Sequence, residues 1–195
     1  IFIGKLVVLT IALINGCANR KITRVDPSET IDLSGRWNDS DSRLVSEEMI
    51  GDLLTSAWIP RYLKANDKRP VVVVGLVENK SHEHINSETF IKDVEKAIIR
   101  DGNIRLVVAG EKRNELRKER AEQQDYASPE TTKKWGKELG ADFILQGTIN
   151  SIVDSYKKQK VVTYQIDLQL TNIETNEVVW MGDKKIKKQI SDRVL

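Results

Sequence analysis

At 195 residues the chain has room for one domain, because about 155 residues remain once a leader and a tether are set aside. Lys+Arg 31 against Asp+Glu 29 leaves a formal net charge of +2, which excludes the strong positive field expected of a nucleic-acid binder. A single cysteine excludes an intrachain disulfide, so the 39% hydrophobic residues must form a core that holds the fold unaided, beneath a surface rich in the 31% charged ones.

The first element lies behind Lys5, where Leu6 to Ile14 is apolar except for Thr10. A spanning helix needs about 20 apolar residues, so this run is too short to cross a bilayer, and it has the length of a signal-peptide core. Residues 1–16 are read as a lipoprotein-type leader whose basic start is expected upstream, since the chain opens at Ile1 rather than Met. Cys17 follows directly. A disulfide there could only be intermolecular, and a buried structural thiol would have to precede any foldable segment. Leu13-Ile14-Asn15-Gly16-Cys17 resembles the bacterial lipobox, departing at Asn15, where Ala, Ser or Thr is commoner. The resemblance implies cleavage behind Gly16 and lipidation of Cys17. Ala18 stands where aspartate retains some lipoproteins at the inner membrane, so the outer membrane, facing the periplasm, is the expected location.

Residues 17–31 are polar and aperiodic, and read as the lipidated cysteine and a short tether; 32–195 is the expected folded domain. In "DLSGRWNDSDSRL" (Asp32 to Leu44), Asp39, Ser40 and Asp41 offer N-caps for a helix. Its apolar stripe is Val45, Met49, Leu53 and Ala57, with Ile50 and Leu54 beside it, and Pro60 is expected to close it near Trp58. "PVVVVGLVEN" (Pro70 to Asn79) predicts a central strand covered on both faces. Asn86 or Ser87 caps the next helix, striped by Phe90, Ile91, Val94, Ala97 and Ile98 and stopped at Gly102. Ile104 to Gly110 predicts a short second strand. "EKRNELRKERAEQQ" is helical by propensity, yet only Leu116 and Ala121 are apolar, so it is expected to be a solvated helix laced with ion pairs. Ser128-Pro129 opens a further helix ending at Gly140, with Trp135 and Leu139 as core candidates.

The last third changes period. Val162, Tyr164, Ile166, Leu168 and Leu170 alternate with Thr163, Gln165, Asp167, Gln169 and Thr171, which predicts one dry and one wet sheet face. With "ADFILQGTINSIV" before it, and "IETNE" turning into "EVVWMGDKKIKKQI" after it, this is an antiparallel meander. Lys184, Lys185, Lys187 and Lys188 are expected to guard its edge. The element order predicts an α/β (α+β) fold, helices covering one face of a mixed sheet.

Chemistry-bearing patterns are sparse. No Gly-rich phosphate loop or nucleophile elbow is present. His82 and His84 flank Glu83 in "SHEHIN", but a metal site needs further ligands and the chain has only these two histidines, so a solvated loop is expected. Trp37, Trp58, Trp135 and Trp180 are read as packing residues. No cofactor, metal, catalytic residue or nucleic-acid partner is expected, and the domain is read as non-enzymatic.

"SGRWND" (Ser34 to Asp39), "GADFILQGTI" (Gly140 to Ile149) and "YQIDLQLTNIETNEVVW" (Tyr164 to Trp180) together resemble the LpoB family of penicillin-binding-protein activators, over roughly Leu33 to Ile190. The resemblance implies a helix-covered sheet related to the TolB N-terminal domain. It also implies an outer-membrane lipoprotein that binds and stimulates a bifunctional peptidoglycan synthase, a class A penicillin-binding protein. The tether departs from the long disordered segment of well-known members: about 14 residues span at most about 50 Å, and some 20 Å as a flexible chain. A curli-secretion-channel type of lipoprotein is the alternative. It would need additional strand pairs to line a pore. The wet sheet face (Gln165, Asp167, Gln169) and the loop from Glu78 to Asn86 are the exposed candidates for contact.

Overall fold

The computed structural model describes residues 22–128, 130 and 138–191. Its elements are α1 (Asp39–Thr55), α2 (Trp58–Asn66), β1 (Val71–Asn79), α3 (Ser87–Asp101), β2 (Arg105–Val107), α4 (Gly110–Tyr126), β3 (Phe143–Tyr156), β4 (Gln159–Asn172) and β5 (Val178–Ser191). One sheet holds all five strands in the order β2-β1-β3-β4-β5, with β1 parallel to β2 and β3 and the last three antiparallel. The mixed sheet and its C-terminal meander are those the patterning predicts.

The period-two reading of β4 holds residue for residue. Val162, Tyr164, Ile166, Leu168 and Leu170 are buried, and Thr163, Gln165, Asp167 and Gln169 point to the other face. Across the dry face Leu145 and Ile149 of β3, Val72, Val74 and Val77 of β1 and Trp180 of β5 complete the sheet side of the core. The helix side comes from Val45, Met49, Ile50 and Leu53 of α1 and from Phe90, Val94 and Ile98 of α3. Helix α1 starts with a reciprocal cap, in which the Asn38 side chain accepts from the Asp41 N–H while Asp41 accepts from the Asn38 N–H. Helix α3 is capped by Asn86 and ends at Gly102, as expected.

Four expectations are corrected. The first helix stops at Thr55, before Ala57, which is exposed; Pro60 instead sits in the first turn of α2, where its missing N–H costs no helical bond. Trp58 and Tyr62 of α2 pack edge-on against Phe143. Strand β1 is covered on both faces only from Val71 to Val74; after a bulge between Val74 and Val77, Leu76 and Glu78 are exposed. Lys184 and Lys188 do not guard the edge. They turn onto α1, where Lys184 pairs with Glu48 and Lys188 with Asp41 and Asp32, while Lys185 and Lys187 lie on the opposite, exposed face. Leu139 is exposed rather than core, and Trp135 with most of its expected helix lies outside the described residues, as does Cys17. Helix α4 has no buried residue, in keeping with a solvated helix.

Two polar ties close the ends of the sheet. At one end Asp142 Oδ2 accepts from the Tyr62 hydroxyl at 2.7 Å and the Val71 N–H at 2.9 Å, with Lys68 Nζ 3.3 Å from Oδ1. At the other, "SGRWND" forms a strap over β5. Gly35, at φ +66°, abuts Ile190 so closely that a Cβ would collide with it. Asp32 accepts from Lys188 at 2.7 Å. Burial pushes the Lys188 ammonium down, but Asp32 and Asp41 outweigh it and hold its pKa raised. Residues 22–31 are exposed and add no side chain to the core, so every described core residue lies after Ile31.

Leu168→Ala removes a fully buried side chain and should cost about 2–5 kcal/mol in urea unfolding. At Asp142, burial pushes the carboxyl pKa up, but the hydrogen bonds from Tyr62, Val71 and Lys68 outweigh it and hold the value below the usual carboxylate range. A carboxyl held low in the folded state stabilises above its unfolded value near pH 4, and that contribution is lost as pH falls through the folded value. Asp142→Asn should therefore lose about 2 kcal/mol at pH 7, the scale of charge-assisted hydrogen bonds. The difference from wild type should shrink in urea titrations below about pH 4.

Candidate binding surface

Among the described residues no helix packs on the wet face of the sheet over β3, β4 and β5. Its residues follow from the pleat: once Tyr164, Ile166 and Leu168 are committed to the core, Gln165, Asp167 and Gln169 have nowhere else to point. They are half-buried and joined to one another. Gln165 Nε2 donates to Asp167 Oδ1 at 2.8 Å, Asn150 Nδ2 donates to Thr148 Oγ1 at 3.0 Å and approaches Asp167 Oδ2 at 3.4 Å, and Gln169 Nε2 donates to Thr171 Oγ1 at 3.1 Å. Bonds along each strand, with one crossing from Asn150 of β3 to Asp167 of β4, fix these side chains before any partner arrives, which lowers the entropy lost on docking.

Beside this ladder is an open hollow of about 330 Å³ lined by Leu76, Glu78, Gln146, Asp167, Gln169 and Met181. At this level β1 bulges away between Val74 and Val77, and Gly147, where any Cβ would meet the Asp167 carbonyl and the core side chain of Leu168, lets β3 and β4 pair closely. Leu76 and Met181 are exposed apolar walls within a polar surround. A shallow patch of this kind suits a protein partner better than an enclosed small molecule. The sequence reading named the amides but not Leu76 or Met181; the break in alternation after Gly75 was the signal for the first.

The loop from Glu78 to Asn86 is more structured than a solvated loop. Glu83 turns inward and accepts from the Tyr164 hydroxyl at 2.8 Å and from the Trp37 N–H at 3.1 Å, with His82 Nε2 3.3 Å away. Desolvation first, then the hydrogen bond to the Glu83 carboxylate, pushes the Tyr164 phenol well above its ordinary pKa. His82 Nδ1 lies 2.6 Å from Ser151 Oγ, and its ring stacks over Tyr164. Asn79 accepts from Ser81 and donates to the Glu83 carbonyl. The loop is thereby fixed to the sheet and to the strap, leaving His84 and the edge of His82 exposed. Among the described residues no group of three or more His, Cys, Asp or Glu side chains gathers as metal ligands.

The three tryptophans among the described residues pack. Trp58 and Trp180 are buried, with Trp180 Nε1 donating to Asp52 at 2.8 Å; Trp37 is partly buried, donating from Nε1 to Ser42 Oγ and resting edge-on against Tyr164.

The family model described as peptidoglycan-synthase activator LpoB matches residues 41–186. Among solved structures, the C-terminal domain of LpoB from Escherichia coli is similar at 19% identity and TM-score 0.46, covering 78% of this chain and 99% of that one. The solution structure of E. coli LpoB matches at 14% identity and TM-score 0.42, covering 89% of this chain and 83% of that one. Lipoprotein GNA1162 from Neisseria meningitidis matches at 15% identity and TM-score 0.37, covering 62% and 83%. No curated protein matches the chain.

Proposed function

Because the chain belongs to the LpoB family of peptidoglycan-synthase activators, we propose that it is a lipid-anchored envelope protein whose domain docks on a class A penicillin-binding protein through the open sheet face. The observation that carries this reading is the family match over residues 41–186, which runs from the first turn of α1 well into β5 and so spans nearly the whole fold. The open face supports it with fixed amides and a shallow hollow walled by Leu76 and Met181. In this reading residues 1–16 are the leader, Cys17 carries the lipid, 17–31 is the tether, and 32–195 is the domain. The protein is held at the outer membrane, facing the periplasm.

An activator without chemistry of its own acts through differential affinity. It must bind the active conformation of the synthase more tightly than the resting one, and a few kcal/mol of difference moves most of the population. The domain from Ile31 onward should therefore raise the rate of glycan polymerisation by its cognate class A synthase, and should polymerise nothing alone. Gln165→Lys with Asp167→Lys should lower that stimulation about tenfold, with circular dichroism and the urea transition confirming that the variant folds. A flat rate at saturating domain, against every class A synthase of the same cell, would remove the activator reading.

The anchor is tested separately. Cys17→Ser in the full-length protein should release it from washed membranes. Retention through a high-salt wash would assign the attachment to something other than a lipid on Cys17.

A further inference from the structure

The end of the sheet that projects past the helices carries chemistry that docking on a synthase does not use. All eight residues from Ile152 to Gln159 are exposed, so the β3–β4 hairpin stands clear of the core on both faces. Ile152 and Tyr156 are each 72% exposed, and Val153 is exposed on the opposite face. Lys157 and Lys158 fill the two-residue turn, since Tyr156 pairs with Gln159. Lys157 takes φ +56°, a conformation for which Gly or Asn is the usual choice in such a turn. Lys160 follows on β4, and Lys185 and Lys187 lie on the open face of β5 opposite Gln165 and Thr163. Against these five lysines, residues 152–163 and 185–191 hold one acidic side chain, Asp154. Among the described residues none of the five makes an ion pair. A chain of net charge +2 has thus gathered a strongly basic tip with an apolar and aromatic component.

The tether arrives at this same end. Gly35 abuts Ile190, Ile190 is paired with Lys160, and Asp32 is bonded to Lys188. Leu33, between Asp32 and Gly35, is 92% exposed. The geometry points to this end as a surface that rests on anionic phospholipid headgroups of the membrane that holds the anchor. The choice of that membrane rests on the lipid-anchor reading of Cys17; the headgroup chemistry does not. Some 14 residues of tether keep the tip within about 50 Å of its bilayer, so a weak surface affinity is amplified by local concentration. A polybasic cluster gains at an anionic surface with each lysine, and exposed Tyr, Ile and Leu side chains enter the interfacial layer. An anionic glycan would match the lysines but would leave Leu33, Ile152 and Tyr156 without an apolar phase. Lipid accounts for both halves of the patch.

The test uses the domain from Ile31, which lacks Cys17. It should sediment with vesicles containing one-third phosphatidylglycerol at low salt, and not with pure phosphatidylcholine. Lys157→Gln with Lys158→Gln and Lys187→Gln should reduce binding at least tenfold, and Tyr156→Ser should reduce it further, with circular dichroism and urea midpoint confirming that each variant folds. These positions are exposed, so the variants are expected to be as stable as the parent. No sedimentation with anionic vesicles, binding that ignores the tip lysines, or binding to isolated peptidoglycan in place of vesicles would each overturn the proposal. Because Cys17 and the synthase are both absent from the assay, such a failure leaves the anchor and the activator reading where they stood.

Discussion

Strand β4 is the constraint on which the rest depends. It is hydrogen-bonded along nearly its whole length to β3 on one side and β5 on the other, and alternate side chains from Val162 to Leu170 are fully committed to one face. A slip of one residue would send Tyr164 and Leu168 to solvent and bring Asp167 into the core, so the register cannot drift. The helices that close the core over this strand, α1 and α3, must therefore lie on that single side, and among the described residues the opposite face is left open over β3–β5. The surface assigned to partner binding is a by-product of where the apolar residues of β4 point.

The motifs that tie the chain to its family serve that frame rather than chemistry. In "SGRWND", Gly35 lets the strap reach Ile190, Trp37 leans on Tyr164, and Asn38 starts α1. In "GADFILQGTI", Asp142 joins α2, β1 and β3, while Gly147 lets β4 come close. The segment ending in Trp180 brings an indole down to Asp52 of α1. These positions restrict the backbone or satisfy buried polar groups. Surface residues that meet a partner face no such demand, so the motifs themselves do not mark where contact is made.

Much of this was legible in the sequence, and the reasons differ by element. Alternation in β4 and the stripes of α1 and α3 are periodic signals read directly from apolar spacing. Helix α2 is hidden because Pro60 reads as a stop, whereas proline in a first turn marks a start. The inward turn of Lys184 and Lys188 is not visible in the sequence, since their carboxylate partners lie some 140 residues earlier, in or beside α1. Glu83 is obscured in the same way: a loop carboxylate between two histidines looks solvated until Tyr164 and Trp37 arrive from distant segments. The meander is legible, but its extension past Val153 and Val161 into a projecting hairpin is not, because a Lys-Lys turn lacks the Gly or Asn that usually announces one.

The strap also sets the mechanics of attachment. A pull along residues 22–31 meets exposed contacts in turn: the Ser28 carbonyl, which accepts from Arg43, and then Asp32, which accepts from Asn38 and Lys188. Those contacts can let go while the reciprocal cap between Asn38 and Asp41 keeps the start of α1 in place. Freeing Asp32 to Arg36 would add five residues, or roughly 17 Å of span at full extension, while Trp37 stays seated against Tyr164. The segment would thus lengthen under tension before the folded body bears load.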